Sequence, residues 1–380
     1  MNETTRNETS RNETSHSDIT VIGAGIIGLA HAFLAHRRGL SVTIVEARTG
    51  VTGASVRNFG HFCMSGQTGA FFDRARAGRE HWLAAASAAG FWAEESGAYA
   101  LARTPAELAV LEQASTEDGE LVCLVDAASI RRAVGAGAPV IGGALLPADM
   151  RVDPREAAPR LLEWLRRQSG VTVLEATRAL AVAPGRVRTT RGDITTGHVL
   201  VCTGHELGGI LPAPADAAGL RECSLQMARV RLPEGYRTSA AVLTGTSLLR
   251  YDRFAAQPAA AELREEIAAT RPELFEIVAN VMCAPLPDGT LLVGDSHDYA
   301  ATAAPFLREE TYRILLTGVA EVLGAPAFEV LERWQGVYAS STIRPLIVED
   351  VEDGVTAVTV ATGLGMTLGF GLAAEQLDRL

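Results

Sequence analysis

The chain has 380 residues, enough for about two domains at roughly 100–200 residues each. Its composition, 47% hydrophobic, 21% charged and 6% aromatic, is that of a globular enzyme with a packed core. A formal charge of -11 and the lack of a basic stripe interleaved with aromatics exclude nucleic acid and anionic lipid as expected partners, but not a small anionic substrate.

Residues 2–15 read NETTRNETSRNETS, a five-residue polar repeat with no apolar core, so 1–16 is expected as a disordered tail and not a secretory signal. The N-x-T patterns at Asn2, Asn7 and Asn12 carry no meaning without export. A short apolar strand over 18–22 runs into Gly23-Ala24-Gly25-Ile26-Ile27-Gly28. A helix follows over 27–38 and stops at Gly39, and a β-branched strand over 41–45 closes with Glu46. Helical spacing returns at 70–92, 105–115, 126–134 and 154–168. Strands are expected at 171–174, 186–190 and 194–202, the last ending in Thr203-Gly204.

Residues 224–254 alternate like antiparallel strands, and helices are expected at 259–269 and 272–280. A hairpin around Pro287-Asp288-Gly289 leads through 290–294 into Asp295-Ser296-His297. A helix over 308–323, a strand over 355–361, a glycine-rich turn and a helix over 370–380 close the chain. The most apolar run, 355–372, is broken by glycines and threonines, so no membrane span is expected. The five scattered cysteines (63, 123, 202, 223 and 283) lack a C-x-x-C pair and read as reduced core thiols of a cytoplasmic protein.

Gly23-x-Gly25-x-x-Gly28 lies between a strand and a helix, with Glu46 eighteen residues beyond Gly28. The glycines allow a tight turn and close approach to a pyrophosphate, whose charge rests on the helix start, and the acid suits ribose hydroxyls. Three further blocks follow in order: Thr52 to Gly60 (TGASVRNFG), Val201 to Gly204 (VCTG) and Ala361 to Thr367 (ATGLGMT).

In these four blocks, spanning 18–376, the chain resembles the D-amino-acid oxidase-like superfamily of flavoenzymes, the glycine and sarcosine oxidase group. The resemblance implies FAD. Its ADP part would lie on Gly23, Gly25, Ile26, Ile27 and Gly28, with Glu46, Ala47 and Arg48. Ser55, Arg57, Asn58, Phe59 and Gly60 would run beside the flavin, and Ala179, Thr203 and Gly204 would pack near the cofactor. Gly363, Gly365, Met366 and Thr367 would meet the pyrimidine end of the ring, which becomes negative on reduction. The implied fold is α/β: a doubly wound, Rossmann-like FAD domain of the glutathione-reductase type from 17–85, 152–220 and 332–380. A mixed α+β substrate domain comes from 86–151 and 221–331.

Ser55–Gly60, Gly294–His297 and Thr362–Thr367 also resemble a branch associated with bacterial aminophosphonate catabolism. One position departs from the family. Many amino-acid-oxidising relatives carry a G-x-R-P arginine that clamps the substrate carboxylate, and here Gly336-Val337-Tyr338-Ala339 puts tyrosine in its place. An anion is then left to Arg344 or Arg57, with Tyr338 as a neutral donor. His297 and Tyr299 are expected to face the substrate, and His61 to lie near the flavin. A covalent flavin link through His61 or a cysteine is the alternative to their structural roles.

Gly294-Asp295-Ser296-His297 also invites comparison with the G-D-x-x-H block of flavin aromatic hydroxylases, but about 65 residues with a helix separate it from Gly363. The activity implied is oxidation of a C–N bond of a small amine by hydride transfer to flavin N5, followed by imine hydrolysis, with O2 as acceptor. The alternatives are an amino-acid oxidase acting on glycine, sarcosine or a D-amino acid, and a flavin-binding subunit of a larger dehydrogenase.

Overall fold

The computed structural model describes residues 16–135 and 137–380. The expected tail lies outside them except for residue 16, which already belongs to the first strand, His16–Ile22.

That strand is the centre of an eight-stranded sheet. Val42–Val45 and then Val171–Leu174 pair parallel on one side of it. Gly192–Val201 pairs parallel on the other, and Val355–Val360 lies parallel beside the end of Gly192–Val201. Antiparallel strands finish the sheet: Leu346–Glu352, and the pair Ala179–Ala183 and Arg186–Thr189. Val42–Val45 and Val355–Val360, rich in Val and Thr, are buried at every residue and so on both faces, as helix-covered strands must be. Helix Ile26–Arg37 buries nine of its twelve residues because it is packed among the sheet and the helices Pro154–Arg166 and Gly365–Leu377.

A second sheet of nine strands is organised on Arg221–Arg231. Thr290–Gly294, Asp298–Ala300 and Glu329–Ser340 all pair antiparallel with it. It continues through Met282–Pro285, Ala241–Leu243, Ala98–Ala102, Gly142–Leu146 and Cys123–Asp126. A three-stranded sheet, His61–Phe62 with Met150–Val152 and Ala93–Glu94, lies beside the functional cavity.

Three sequence expectations change. The boundary at 332 falls inside Glu329–Ser340, which pairs with Arg221–Arg231 along its length, so 329–340 belongs to the second sheet. The alternation over 224–254 ends early: after Ala241–Leu243 the chain forms short helices at Gly245–Leu248 and Asp252–Ala255. Thr244 and Ser247 cap the first of these reciprocally, a local signal that outweighs the alternation. The last helix begins at Gly365, five residues before the expected start.

Candidate functional site

A cavity of about 830 Å³ is lined by residues of both large sheets. At one end it meets the start of helix Ile26–Arg37, whose first turn holds no acidic residue. Ser55 Oγ accepts from the Ile26 N–H at 2.8 Å, which brings the second block against this helix start. Positive φ at Gly23 (+101°) shapes the turn, and a Cβ there would lie 2.6 Å from the Cys202 carbonyl oxygen. Glu46 is fixed at the strand end: its two carboxylate oxygens accept from the Ala24 and Arg48 N–H groups at 2.8 and 2.9 Å. Each oxygen keeps a further lone pair for a hydroxyl.

The cavity also meets Gly363, Gly365, Met366 and Thr367 at the start of the last helix, again with no acid in its first turn. Trp82 Nε1 donates to the Met366 carbonyl at 2.8 Å, and Thr367 Oγ1 accepts from the Cys63 N–H at 3.2 Å. Thr203 Oγ1 is buried on the cavity wall without a partner among the described residues. Two helix starts on one cavity, an acid at a strand end and an orphaned hydroxyl fit FAD, whose pyrophosphate would lie at the first helix and whose ring would lie at the second. Glu46→Ala is expected to weaken FAD binding about 10- to 100-fold, the worth of hydrogen bonds to a charged group; titration of apoprotein with FAD measures it.

Not every expected cofactor residue touches the cavity. Gly28 and Gly60 do not line it. A Cβ on Gly28 would sit 2.0 Å from the Gly23 carbonyl oxygen, and one on Gly60 2.0 Å from that of Val152, so both glycines serve backbone approach. Asn58 lines the cavity, but its amide is committed to its own loop. Nδ2 donates to the Ala54 and Ser55 carbonyls at 2.9 and 3.0 Å, and Oδ1 accepts from the Gly60 N–H at 2.7 Å. The remaining residues carried over from the resemblance, Ala47, Arg48, Arg57, Phe59, Ala179 and Gly204 among them, all line it.

One part of the lining gathers Tyr338, His297, Arg250, Asp295 and Tyr251. Tyr338 lies against the last block: a Cβ on Gly363 (φ +79°) would be 3.1 Å from its ring. Burial pushes the Tyr338 hydroxyl well above its usual value, so it stays a neutral donor. His297 lies 6.3 Å from the Tyr338 ring and 6.2 Å from that of Tyr299. Burial, with Arg250 second, holds its imidazole well below the usual range, hence neutral.

His61 Nε2 donates to Asp149 Oδ2 at 2.8 Å, while its Nδ1 is buried without a partner. Cys63 completes a group of three ligand-type atoms within 4.8 Å. The Ser65 N–H already occupies the other Asp149 oxygen, and burial raises the Cys63 thiol far above its usual value, so the group is a hydrogen-bonded dyad beside a protonated thiol. All five cysteines are free.

Arg344 does not reach the cavity. It pairs with Glu349 on the strand Leu346–Glu352, an in-register neighbourhood the sequence spacing of five did not reveal. Arg57 does line it, but donates to the Gln335 carbonyl at 3.1 Å.

A further cation on the wall, beside Tyr338, is Arg250, which sequence reasoning missed because 224–254 read as featureless alternation. All 34 basic residues of the chain are arginines, so a permanently charged group here has to be a guanidinium. Arg250 donates to the Tyr338 hydroxyl at 3.2 Å and has no carboxylate within 4.0 Å among the described residues. Burial opposes its charge, but Tyr338 and the Asp295 carboxylate favour it, and the net shift is upward.

Among the described residues no helix is long and apolar enough to cross a membrane. Comparison with solved structures finds glycine oxidase from Bacillus cereus ATCC 14579 at a TM-score of 0.76 and 19% identity, covering 96% of this chain and 94% of that one. L-proline dehydrogenase from P. horikoshii matches at 0.73 and 18%, covering 96% and 94%. Iminodiacetate oxidase from Chelativorans sp. BNC1 matches at 0.68 and 18%, covering 94% and 93%. Each is similar in fold. No curated protein matches the sequence. A family model described as FAD dependent oxidoreductase matches residues 18–378, and the chain belongs to that family.

Proposed function

We propose that the enzyme oxidises the C–N bond of a small amine bearing an anionic group, with a primary or N-alkylated aminophosphonate favoured over an amino acid. The observation that carries this reading is Arg250, a guanidinium held in the cavity with a neutral hydroxyl beside it and no anion of its own. A site with an unmatched fixed cation selects the opposite charge.

The arrangement of donors supports a phosphonate. A carboxylate is met best by the flat fork of an arginine. Here Arg250 already spends one N–H on Tyr338, and the further donors are the Tyr338 and Tyr251 hydroxyls, the latter with only the Met282 sulfur 3.9 Å away. Three separate donors, in place of one flat fork, suit three tetrahedral oxygens. The names of the structural neighbours, glycine oxidase and iminodiacetate oxidase, support oxidation beside an amine nitrogen and keep a carboxylate substrate as the second reading.

When bound, FAD supplies the acceptor for the hydride that leaves the carbon next to nitrogen. The chain's share is orientation. Arg250 and Tyr338 fix the anionic end, Leu225 and Met282 give the cavity apolar walls that exclude water, and Tyr338 sets the distance to the turn at Gly363. His61, His297 and Arg57 complete the proposed site, and O2 is the proposed acceptor in turnover.

Anaerobic addition of amines to the yellow holoenzyme tests the reading. Bleaching by 2-aminoethylphosphonate or its N-methyl derivative is the expected result. Bleaching by glycine, sarcosine or D-alanine alone establishes the amino-acid reading, and a flavin that no amine bleaches points to a subunit without its own amine chemistry.

A further inference from the structure

Resting on that reading, we infer that Asp295 and His297 form a second pole of the pocket, which receives the substrate's ammonium group and takes its proton. The pocket then requires a zwitterion, and the same pair generates the free amine whose lone pair assists loss of hydride.

The segment is rigidly placed. At the end of strand Thr290–Gly294 the chain turns into the cavity, and the N–H and carbonyl of Asp295 each bond to the main chain of Asn280 at 2.8 Å. The His297 N–H donates to the Ile277 carbonyl at 3.0 Å. Asp295 is 6% exposed, yet its Oδ1 has no hydrogen-bond partner. A buried carboxylate oxygen left without a donor is costly, and a ligand that brings one removes the cost.

The other oxygen faces an acceptor as well. His297 Nδ1 lies 2.9 Å from the Val278 carbonyl, which can only accept, so Nδ1 carries the hydrogen and Nε2 presents a lone pair. Asp295 Oδ2 stands 3.7 Å from that Nε2. Two acceptors therefore face each other with no proton between them, and the Arg250 guanidinium, of opposite charge on the same wall, is more than 4.0 Å from either carboxylate oxygen.

In the proton transfer an N–H bond of the ammonium breaks and its electron pair stays on nitrogen. The proton forms an O–H bond on Asp295, where His297 Nε2 can share it, and the charge of the pair of reactants is conserved: ammonium plus carboxylate become amine plus carboxylic acid. Burial raises the Asp295 carboxyl to about 6, with Arg250 and then the Asn280 side chain opposing, so it is ionised and ready at neutral pH and loses this capacity as pH falls through about 6. The groups facing the pair are Arg250, Tyr251, Tyr338, Tyr299 and Cys223. Burial keeps the Tyr251 and Tyr338 hydroxyls and the Cys223 thiol (raised to about 11) protonated, which leaves Asp295 as the group that changes charge near neutrality.

Stopped-flow reduction of the wild-type holoenzyme by 2-aminoethylphosphonate, followed across pH, tests this without any variant: an acid limb near pH 6 is expected, and a profile flat through that region overturns the inference. In Asp295→Asn, with FAD content as the check on folding, reduction at pH 7 is expected to slow about 100-fold, the usual worth of a positioned base, and to recover as pH approaches the ammonium's own pKa. Retention of the wild-type rate and limb overturns it. Ethylphosphonate, which lacks the amine, separates this inference from the reading beneath it. It is expected to perturb the flavin spectrum of wild type and Asp295→Asn with equal or tighter binding in the variant. If ethylphosphonate fails to bind the wild type, the anion site at Arg250 is wrong; if it binds and Asp295→Asn weakens it, the assignment of Asp295 to the ammonium is wrong.

Discussion

Arg250→Met is expected to raise the dissociation constant for the anionic amine about 30- to 1000-fold while FAD content stays at the wild-type level. The magnitude follows from losing one partner of a desolvated charge contact, about 2–4 kcal/mol. Methionine keeps the length and removes the charge, so the substrate anion meets an apolar wall with only hydroxyls to hold it. The free protein should not suffer. Arg250 has no ion pair to lose among the described residues, and its one side-chain bond is to Tyr338. The melting temperature of Arg250→Met should therefore match or exceed that of wild type. Lysine is a poor substitute, because a point charge cannot reach the anion and Tyr338 in the same plane. Saturation of anaerobic flavin reduction gives the constant; an unchanged value in Arg250→Met removes this residue from the site.

The second large effect is structural. Gly371→Ala places a Cβ 1.9 Å from the Arg74 carbonyl oxygen, where helices Gly69–Ala89 and Gly365–Leu377 cross backbone to backbone. Gly78 stands on the other helix, with its own added Cβ only 2.7 Å from the Gly371 nitrogen. Neither helix can yield locally, because the obstacle is main chain, so the pair must separate. Overpacking of this kind costs about 1–3 kcal/mol or more, a fall in melting temperature of roughly 2–12 °C at 2–4 °C per kcal/mol. Separation also pulls Trp82 Nε1 from the Met366 carbonyl at the turn that lines the cofactor cavity, so FAD should be released at lower temperature than in wild type. Gly369→Ala is the control. Its Cβ meets only the far end of the Ile27 side chain, at 3.2 Å, and should be tolerated. Thermal release of flavin fluorescence compares the three proteins. Equal release temperatures for Gly371→Ala and wild type would show that the helices part without cost.

The strand-turn-helix start of the chain was legible because each of its features is local. A strand, a glycine turn, a helix and a strand-end acid occupy one stretch, and the covalent spacing alone brings Gly23, Gly25 and Glu46 together. Thr203 and Gly363 were legible because each ends a buried strand of the same sheet. What could not be read was set by pairing between distant segments. Arg250 comes to the cavity from the turn that follows the one-turn helix Gly245–Leu248, inside a stretch whose alternation suggested strands. Arg344 carried the right charge but had a closer partner in Glu349. Gly28 and Gly60 looked like cofactor contacts, yet what they need to avoid is a carbonyl, of Gly23 in the preceding turn for Gly28 and of the distant Val152 for Gly60. Asp295 was visible as part of a motif, but its unpartnered oxygen is a property of the packed site.

The contact between Gly363 and the Tyr338 ring has a consequence for how this enzyme can change. The side chain proposed to help choose the anion rests on the turn proposed to meet the flavin's pyrimidine end. On that proposal a residue of another size at 338 is expected to disturb the turn, so a change of substrate class is expected to bring a change of redox behaviour with it. An arginine at 338 would also arrive in a pocket already holding Arg250, with two like charges to accommodate.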